Sequence, residues 1–310
     1  MKDVLSDALR GVRLGRAVSH GPLHLFPLVG GPVGEGDLVL LDEALEAGSL
    51  AAWELDGGGS VPELRVKNSG DFPVLILEGD EFVGFKQNRV VNSSVLVAVS
   101  SEIILPVSCV EQGRWSRKSR PFSSGGSSPH LSLRKLKSRS VHDSLKSGRG
   151  HRSDQSAVWE EIDRISERHE VSSPTRSLQD ARTRLSEKLS AYEALAKEMP
   201  KDTRGVIASL GGRPVSLEVL AGPRVFAKAF GKLLSGYALE ALGYEGSRAV
   251  PDPFTAGDFI EAAISAKQSE HPAVGSGLDL RLESEDASGY ALVEGERLVH
   301  AAVFAGREAA

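Results

Sequence analysis

The chain has 310 residues, of which 40% are hydrophobic and 25% are charged, and its formal net charge is −5. This composition excludes a disordered chain, and no run approaches the roughly 18 apolar residues that a membrane-spanning helix needs. The single cysteine, Cys109, excludes an internal disulfide bond and favours a reducing, cytoplasmic setting. Because the first residues carry Asp3 and Asp7 and have no long apolar core, we expect no secretory signal.

Short apolar segments separated by turn residues characterise the chain up to residue 115. Short helices are predicted at 4–9 and 42–47, and strands are predicted at 23–29, 52–55, 63–66, 74–77, 95–99 and 103–107. We expect the last two strands to form an out-and-back pair. Short strands at regular spacing are typical of an antiparallel sandwich or barrel. The sequence therefore predicts a β-sandwich-like part at about 20–115.

A basic, serine- and glycine-rich segment follows. Between residues 116 and 155 only two acidic residues occur, Asp143 and Asp154, against ten basic ones: Arg117, Lys118, Arg120, Arg134, Lys135, Lys137, Arg139, Lys146, Arg149 and Arg152. Few apolar residues are present to offset the entropy of ordering, so we expect a loop or linker at 116–153, the least ordered internal segment. Such cations can contact nucleic-acid phosphates. The alternative is a solvated flexible loop.

The remainder of the chain, 154–310, combines helical and strand patterns. Helices are predicted around Trp159, from Pro174 to Pro200, from Pro223, and at 254–266, and strands are predicted at 205–210, 214–219, 278–282, 289–293 and 297–304. Gly211-Gly212 indicates a hairpin between the first two of these strands. We therefore expect an α+β protein: a β-sandwich-like part at 1–115, the basic segment, and a mixed helix and antiparallel-sheet part at 154–310, packed as one globular unit.

A first polar cluster lies between apolar strands. It combines the glycines and carboxylates of Gly79-Asp80-Glu81 with a run of four hydrogen-bonding residues, Lys86, Gln87, Asn88 and Arg89. Glycines permit tight turns, and this set of side chains suits a phosphorylated or polyhydroxy ligand. The alternative is a solvated hairpin tip with local ion pairs, which contribute little to stability.

A second polar cluster follows the strand at 103–107 and has the sequence Cys109-Val110-Glu111-Gln112-Gly113-Arg114-Trp115. Glu111 is a candidate general acid or base, Arg114 offers a planar fork for phosphate, and Trp115 can stack on a base or sugar ring. The alternative is that Glu111 and Arg114 pair with each other while Trp115 packs on the end of the sandwich. If the two predicted strands return the chain to one sheet end, the clusters meet.

Nucleophile and metal chemistry have weaker sequence signals. Cys109 is a candidate nucleophile because an adjacent cation lowers the pKa of a thiol, but a buried cysteine that acts as a small apolar residue is the commoner case. Asp80, Glu81 and Glu111 together offer oxygen ligands for Mg²⁺. The sequence has no zinc-ligand spacing and no phosphate-loop motif, and it indicates no cofactor.

The two clusters resemble the ADP-ribosylglycohydrolase- and rhodanese-phosphatase-associated protein domain family. Its first pattern, G-E-x-x-x-G-x-K-Q-x-R, is matched by Gly79, Asp80, Gly84, Lys86, Gln87 and Arg89. Its second pattern, P-V-x-C-V-E-x-G-R-W, is matched by Pro106, Val107, Cys109, Val110, Glu111, Gly113, Arg114 and Trp115. Asp80 stands where a glutamate is usual, which keeps the charge and shortens the reach. The resemblance implies an essentially uncharacterised family associated with ADP-ribose-processing enzymes.

Two functions are compatible with these patterns. The first is an enzyme that acts on a nucleotide or ADP-ribose-like ligand. In this hypothesis Lys86, Arg89 and Arg114 hold phosphates, Glu111 is the general acid or base, and Asp80 or Glu81 orients sugar hydroxyls or a metal. The second is a non-enzymatic ligand-binding or protein-interaction module that contacts nucleic acid through 116–152. Neither function involves a membrane.

Overall fold

The computed structural model describes residues 3–31, 36–55, 62–114 and 121–306. Within these ranges the helices are α1 (Val4–Arg10), α2 (Leu41–Glu46), α3 (Leu131–Lys146), α4 (Gln155–Arg168), α5 (Leu178–Ser190), α6 (Ala194–Glu198), α7 (Pro223–Leu242) and α8 (Pro253–Ser265). None of these described helices is long and apolar enough to cross a bilayer.

The strands within the same ranges are β1 (Val12–Leu14), β2 (Val18–His20), β3 (Leu23–Gly30), β4 (Val39–Leu40), β5 (Leu50–Glu54), β6 (Glu63–Asn68), β7 (Val74–Ile76), β8 (Glu81–Val83), β9 (Arg89–Val91), β10 (Val95–Val97), β11 (Glu102–Cys109), β12 (Ser123–Ser124), β13 (Thr203–Leu210), β14 (Arg213–Leu220), β15 (Lys267–Pro272), β16 (Leu278–Glu283), β17 (Ala287–Glu294) and β18 (Arg297–Ala305). The sheets are almost entirely antiparallel, with one parallel pairing between β4 and β7. The predicted α+β class is confirmed.

The chain forms two compact units, and each contains segments that are distant in sequence. The first unit comprises Met1–Gly36, Lys188–Ala273 and Gly277–Ala310. The second comprises Asp37–Glu187 and Val274–Ser276. The predicted boundaries at residues 115 and 153 both lie inside the second unit.

The first unit is built on a nine-stranded sheet in the order β1-β3-β13-β14-β18-β17-β16-β15, with β2 beside β3. The predicted β13–β14 hairpin is confirmed: Gly211 and Gly212 adopt the positive φ angles that its turn requires. The assignment of 23–29 to an N-terminal sandwich is wrong, because β3 pairs with β13, aligning Phe26 with Ile207. That pairing satisfies the backbone of a strand with a buried centre.

A buried carboxylate joins the sheet of the first unit to helix α7. Glu218 on β14 is fully buried and accepts a 2.6 Å hydrogen bond from the hydroxyl of Tyr237 on α7. Its other oxygen lies 2.8 Å from Nε2 of His300 on β18. Both carboxylate oxygens therefore have partners, which is the condition for burying such a group without a large desolvation cost.

The second unit contains a six-stranded sheet, β12-β8-β9-β11-β6-β5, and a three-stranded sheet, β10-β7-β4. The predicted out-and-back pairing of 95–99 with 103–107 is wrong, because β10 pairs with β7, whereas β11 pairs with β6 and β9. Residues 74–76 are buried on both faces, as their apolar run predicts, and β7 has β10 and β4 as partners on its two edges. The Asn68 side chain stabilises the end of β10 by donating hydrogen bonds to the carbonyls of Val97 and Ala98.

Helix α3 lies within the basic segment, so the predicted loop is wrong at 131–146. The helix forms there because Leu131, Leu133 and Val141 are buried, and Arg134 and Lys137 are buried beside them. The basic residues at 117, 118 and 120 lie outside the described residues. The helix predicted from Pro174 to Pro200 begins instead at Leu178 and is interrupted between α5 and α6.

Candidate functional site

The two polar clusters meet where strand β9 begins and strand β11 ends, at the centre of the six-stranded sheet. Strand β9 begins at Arg89, and strand β11 ends at Cys109; because the strands are antiparallel, these two residues are paired neighbours. At this end of the strand pair the Gln87 side chain donates to the carbonyl of Glu111 at 3.0 Å, and the backbone nitrogen of Asn88 donates to the Glu111 carboxylate at 3.3 Å. The clusters therefore lie together, as predicted, but for a different reason: β9 pairs directly with β11, and the predicted pairing of 95–99 with 103–107 does not form.

Arg114 of the second cluster pairs with Glu111 and also contacts the loop of the first cluster. Arg114 lies 2.6 Å from the Glu111 carboxylate, with side-chain exposures of 10% and 7%. Arg114 also donates to the carbonyl of Phe85 at 2.6 Å and to the side-chain oxygen of Asn88 at 3.1 Å. Phe85 has a φ of 45°, an unfavourable angle for a bulky residue, and these bonds hold its loop in place.

Arg89 is a buried cation whose charge and hydrogen-bond donors are only partly matched by the residues of the two clusters. Its side chain donates from Nη1 to the Gln87 side-chain oxygen at 2.8 Å, and its Nε has no hydrogen-bond partner. Burial lowers the pKa of Arg89 below its ordinary value, while the neighbouring Cys109 and Glu54 raise it in part. Within the described chain no carboxylate reaches Arg89 at ion-pair distance. A charge buried in this way is normally paired.

Cys109 is buried beside Arg89, and its sulfur contacts the carbonyl of Glu111 at 3.5 Å. Burial raises the pKa of this thiol, and the nearby Arg89 and Trp159 side chains offset the rise only in part. A thiol with a raised pKa is a weaker nucleophile at neutral pH. The geometry favours the alternative of a small buried residue over the predicted nucleophile.

The carboxylates of the first cluster point to separate partners. Asp80 accepts a 2.8 Å hydrogen bond from the Leu77 amide, whereas Glu81 lies 2.5 Å from Nη1 of Arg182 on α5. The second Glu81 oxygen and the Nε and Nη2 atoms of Arg182 have no partner. With Glu111 engaged by Arg114, the three carboxylates do not converge on a magnesium site. No three metal-ligating side chains converge anywhere in the described ranges.

A second buried ion-pair group lies next to the first cluster. Glu78 accepts from Arg134 at 2.8 Å and from Lys137 at 3.0 Å, and all three side chains are at most 1% exposed. Burial lowers the pKa of Lys137, and Glu78 counteracts that shift. Two of the ten cations of the basic segment are therefore structural. Arg139, Lys146, Arg149 and Arg152 are exposed.

His130 at the start of α3 is fully buried against His169, with 3.2 Å between their Nε2 atoms. Its Nδ1 atom has no hydrogen-bond partner. Burial lowers the pKa of His130 well below its ordinary 6.5, and His169, Arg182 and Arg168 lower it further. The imidazole is therefore neutral at pH 7 in the folded protein.

Because the His130 imidazole is buried and neutral, we expect the free energy of unfolding to decrease as the pH is lowered. The unfolded chain binds a proton at His130 near pH 6.5, whereas the folded protein binds it only at a lower pH. The contribution is thus fully present above about pH 6.5 and is lost as the pH falls toward the folded-state pKa. Urea unfolding between pH 7.5 and about 5 measures this loss of stability.

We expect His130→Asn to flatten the pH dependence of the free energy of unfolding and His271→Asn, in the first unit, to leave that dependence intact. Equal slopes in all three proteins would contradict the prediction.

Residues 11–304 match one family model, the ARG and Rhodanese-Phosphatase-superfamily-associated Protein domain, ARPP-1. The chain belongs to the ARPP-1 family. The matched region includes both polar clusters, in agreement with the motif resemblance. No curated protein and no solved structure matches the chain.

Helix α5 supplies residues of the candidate site that the sequence did not indicate. Gln179 lies 3.3 Å from the Asn88 side chain, and Arg182, one turn later, contacts Glu81. Thr175, just before the helix, donates to Glu111 at 3.3 Å. The only local signal for Arg182 is its place beside the apolar stripe of α5, where a long basic residue also suits the surface.

Two predicted ligand-binding residues of the ARPP-1 motifs lie at the margin of the described site. Lys86 is partly exposed, and its backbone nitrogen donates to Glu54 at 3.1 Å. Trp115 lies outside the described residues. A groove of about 530 Å³ at the C-terminal end of α4 is lined by other residues, among them Asp163 and Arg176, and is separate from the clusters.

Proposed function

We propose that the protein is an enzyme that binds a nucleotide or ADP-ribose-like ligand at the two polar clusters. The observation that carries the proposal is the buried Arg89 guanidinium, whose side-chain partners are the Gln87 amide oxygen and the Cys109 sulfur and whose Nε donor is unused. A phosphate would supply both the missing charge and the missing acceptor. The family description adds support, because we interpret its ARG as ADP-ribosylglycohydrolase.

The other residues of the clusters have complementary roles in this proposal. Lys86 and Arg114, at the more exposed margin, hold phosphates together with Arg89. Gln87 and Asn88 add hydrogen bonds, and Trp115 stacks on the base or a sugar ring. Asp80 or Glu81 orients sugar hydroxyls.

Glu111 is the general acid or base of the proposed reaction. Its Oε2 atom is held by the Arg114 guanidinium and the backbone N–H of Asn88. Its Oε1 atom has a single long hydrogen bond, 3.3 Å, from the Thr175 hydroxyl. A ligand hydroxyl or water would replace that bond and bring a proton within reach of Oε1. Arg114 would fix the orientation of the carboxylate during this step.

A thermal-shift screen against nucleotides, ADP-ribose and divalent metals tests the proposal. A ligand that binds only the folded protein, supplied at a free concentration of about one hundred times its Kd, stabilises that protein by about 2.7 kcal/mol. We therefore expect a rise in Tm of several degrees. The stabilising compound is then incubated with the protein and analysed for products. We expect Glu111→Gln to bind the compound without converting it. Full conversion by the folded variant would eliminate the acid or base role.

The closed Glu111–Arg114 ion pair favours a second candidate, a non-enzymatic binding module. In that case the pair shapes a loop and takes no part in chemistry. Nucleic-acid contact would then rely on exposed cations such as Arg139, Lys146, Arg149 and Arg152. Binding without conversion by the unmodified protein would support the module. The single, buried Cys109 supports our further proposal of a cytoplasmic location.

A further inference from the structure

We infer that Arg182, His130 and Glu81 form an enclosed subsite for the phosphate group of a sugar phosphate. The inference rests on the proposed function and extends it, because it assigns a binding role to two residues outside the motifs. Arg182 is 8% exposed, Glu81 is 1% exposed, and His130 is fully buried. Four of their polar atoms have no partner: Arg182 Nε, Arg182 Nη2, Glu81 Oε1 and His130 Nδ1.

The contact between Arg182 and Glu81 differs from a self-contained ion pair. A guanidinium that serves only a carboxylate generally uses two parallel N–H groups against its two oxygens. Here a single contact joins Nη1 to Oε2, and the remaining polar atoms of both groups have no acceptor or donor. Leaving buried donors and acceptors unmet costs about 1–3 kcal/mol each, so native proteins generally fill such places with a ligand, an ion or water.

The unmet atoms define the chemistry of the ligand. Arg182 offers two N–H donors, and neutral His130 offers an Nδ1–H donor when its Nε2 accepts from His169. Glu81 Oε1 is an acceptor and requires a donor such as a hydroxyl. Three donors beside one carboxylate oxygen match a phosphate ester with a hydroxyl on a neighbouring carbon. The negative phosphate would also offset the charge of Arg182 near His130.

The segment around Gly125 covers the Glu81 side of the subsite. Gly125 packs directly on Glu81, since a Cβ atom at Gly125 would lie 2.7 Å from Glu81 Oε2. The cover is attached to the sheet through β12, a two-residue edge strand that pairs with β8. Gly126 has a φ of 65° and no neighbour within 4 Å of its Cβ position. Release of this short strand would open the subsite, and the glycines permit the change in backbone angles.

Calorimetric titration with inorganic phosphate and with ribose 5-phosphate tests the subsite. Arg182→Gln alone strands the Glu81 charge, so the double variant Glu81→Gln/Arg182→Gln is the main comparison, because it replaces the ion pair by two neutral amides. Arg176→Gln removes an exposed arginine just before α5 and is the control. We expect the unmodified protein and the control to bind both compounds, with ribose 5-phosphate tighter, and the double variant to bind at least about tenfold more weakly.

The outcomes separate this inference from the proposed function. Binding of ADP-ribose that the double variant retains in full would overturn the subsite and leave the function intact. Phosphate binding that the double variant loses, in a protein that does not bind nucleotides or ADP-ribose, would support the subsite and reject the function. Absence of phosphate and ribose 5-phosphate binding to the unmodified protein would overturn the subsite.

Discussion

Glu78→Gln is expected to destabilise the second unit by about 3–5 kcal/mol, because it strands two buried cations. Arg134 and Lys137 contact the two Glu78 oxygens at 2.8 and 3.0 Å, and neither side chain is more than 1% exposed. The amide keeps the size of the carboxylate, so the loss arises from charge and not from a cavity. Urea unfolding at pH 7 measures the difference, with the slope of the transition checked for two-state behaviour.

The same substitution at an exposed ion pair provides a matched control. Glu102 lies 2.7 Å from Arg65, but their side chains are 39% and 44% exposed, so solvent screens the interaction. We expect Glu102→Gln to change the free energy of unfolding by about 0–1 kcal/mol. Equal effects at Glu78 and Glu102 would contradict the assignment of Glu78, Arg134 and Lys137 as a buried structural group.

Arg114→Ala is expected to destabilise the protein by about 3 kcal/mol, because the variant strands the Glu111 carboxylate at 7% exposure. The change also removes the bonds that hold the carbonyl of Phe85 and the side chain of Asn88. For a unit of this size we expect the Tm to fall by roughly ten degrees. Differential scanning calorimetry of the two proteins is the direct measurement.

A second pair with the same sequence spacing is the control for Arg114. Arg297 pairs with Glu294, three residues earlier, and their side chains are 24% and 40% exposed, so removal of the arginine leaves a solvated carboxylate. We expect Arg297→Ala to cost no more than about 1 kcal/mol. A Tm for Arg114→Ala within a few degrees of the unmodified protein would show that its bonds to the loop contribute little. Arg114 would then serve chiefly as a ligand-binding residue at the rim of the site.

Local features of the fold follow from the sequence, because their signals lie in adjacent residues. Gly211-Gly212 between two apolar strands predicts the β13–β14 hairpin, and Pro223 predicts the start of α7. Both agree with the structure. The apolar run at 74–77 likewise predicts a strand buried on both faces.

Pairings between distant segments do not follow from the sequence. Strand β3 joins β13 of the first unit, and β10 leaves its neighbour β11 to pair with β7. Hydrophobic patterns predict which strands are buried, but the choice of partner depends on the packing of the whole sheet. A prediction from adjacency favours the nearest strand, which is the error made for β10 and β11.

The burial of charged side chains likewise cannot be predicted from the sequence alone. Arg134 and Lys137 have the composition of a solvated surface, and their partner Glu78 is distant along the chain. Likewise, no local pattern marks Arg182, because its contact with Glu81 arises only from packing of α5 against the sheet. The two polar clusters do lie together, as predicted, but the predicted reason is wrong: the contact arises from the pairing of β9 with β11 and not from a pair formed by 95–99 and 103–107.

Calorimetric titration of ADP-ribose into the unmodified protein and into Arg89→Gln tests the central claim most directly. Among the described residues no carboxylate lies at ion-pair distance from the buried Arg89, so a phosphate-bearing ligand would depend on this cation. Circular dichroism confirms first that the variant is folded. We predict saturable binding to the unmodified protein and a loss of at least about tenfold in affinity in Arg89→Gln. Absence of binding to the unmodified protein, or equal binding to the folded variant, would contradict the proposed ligand site.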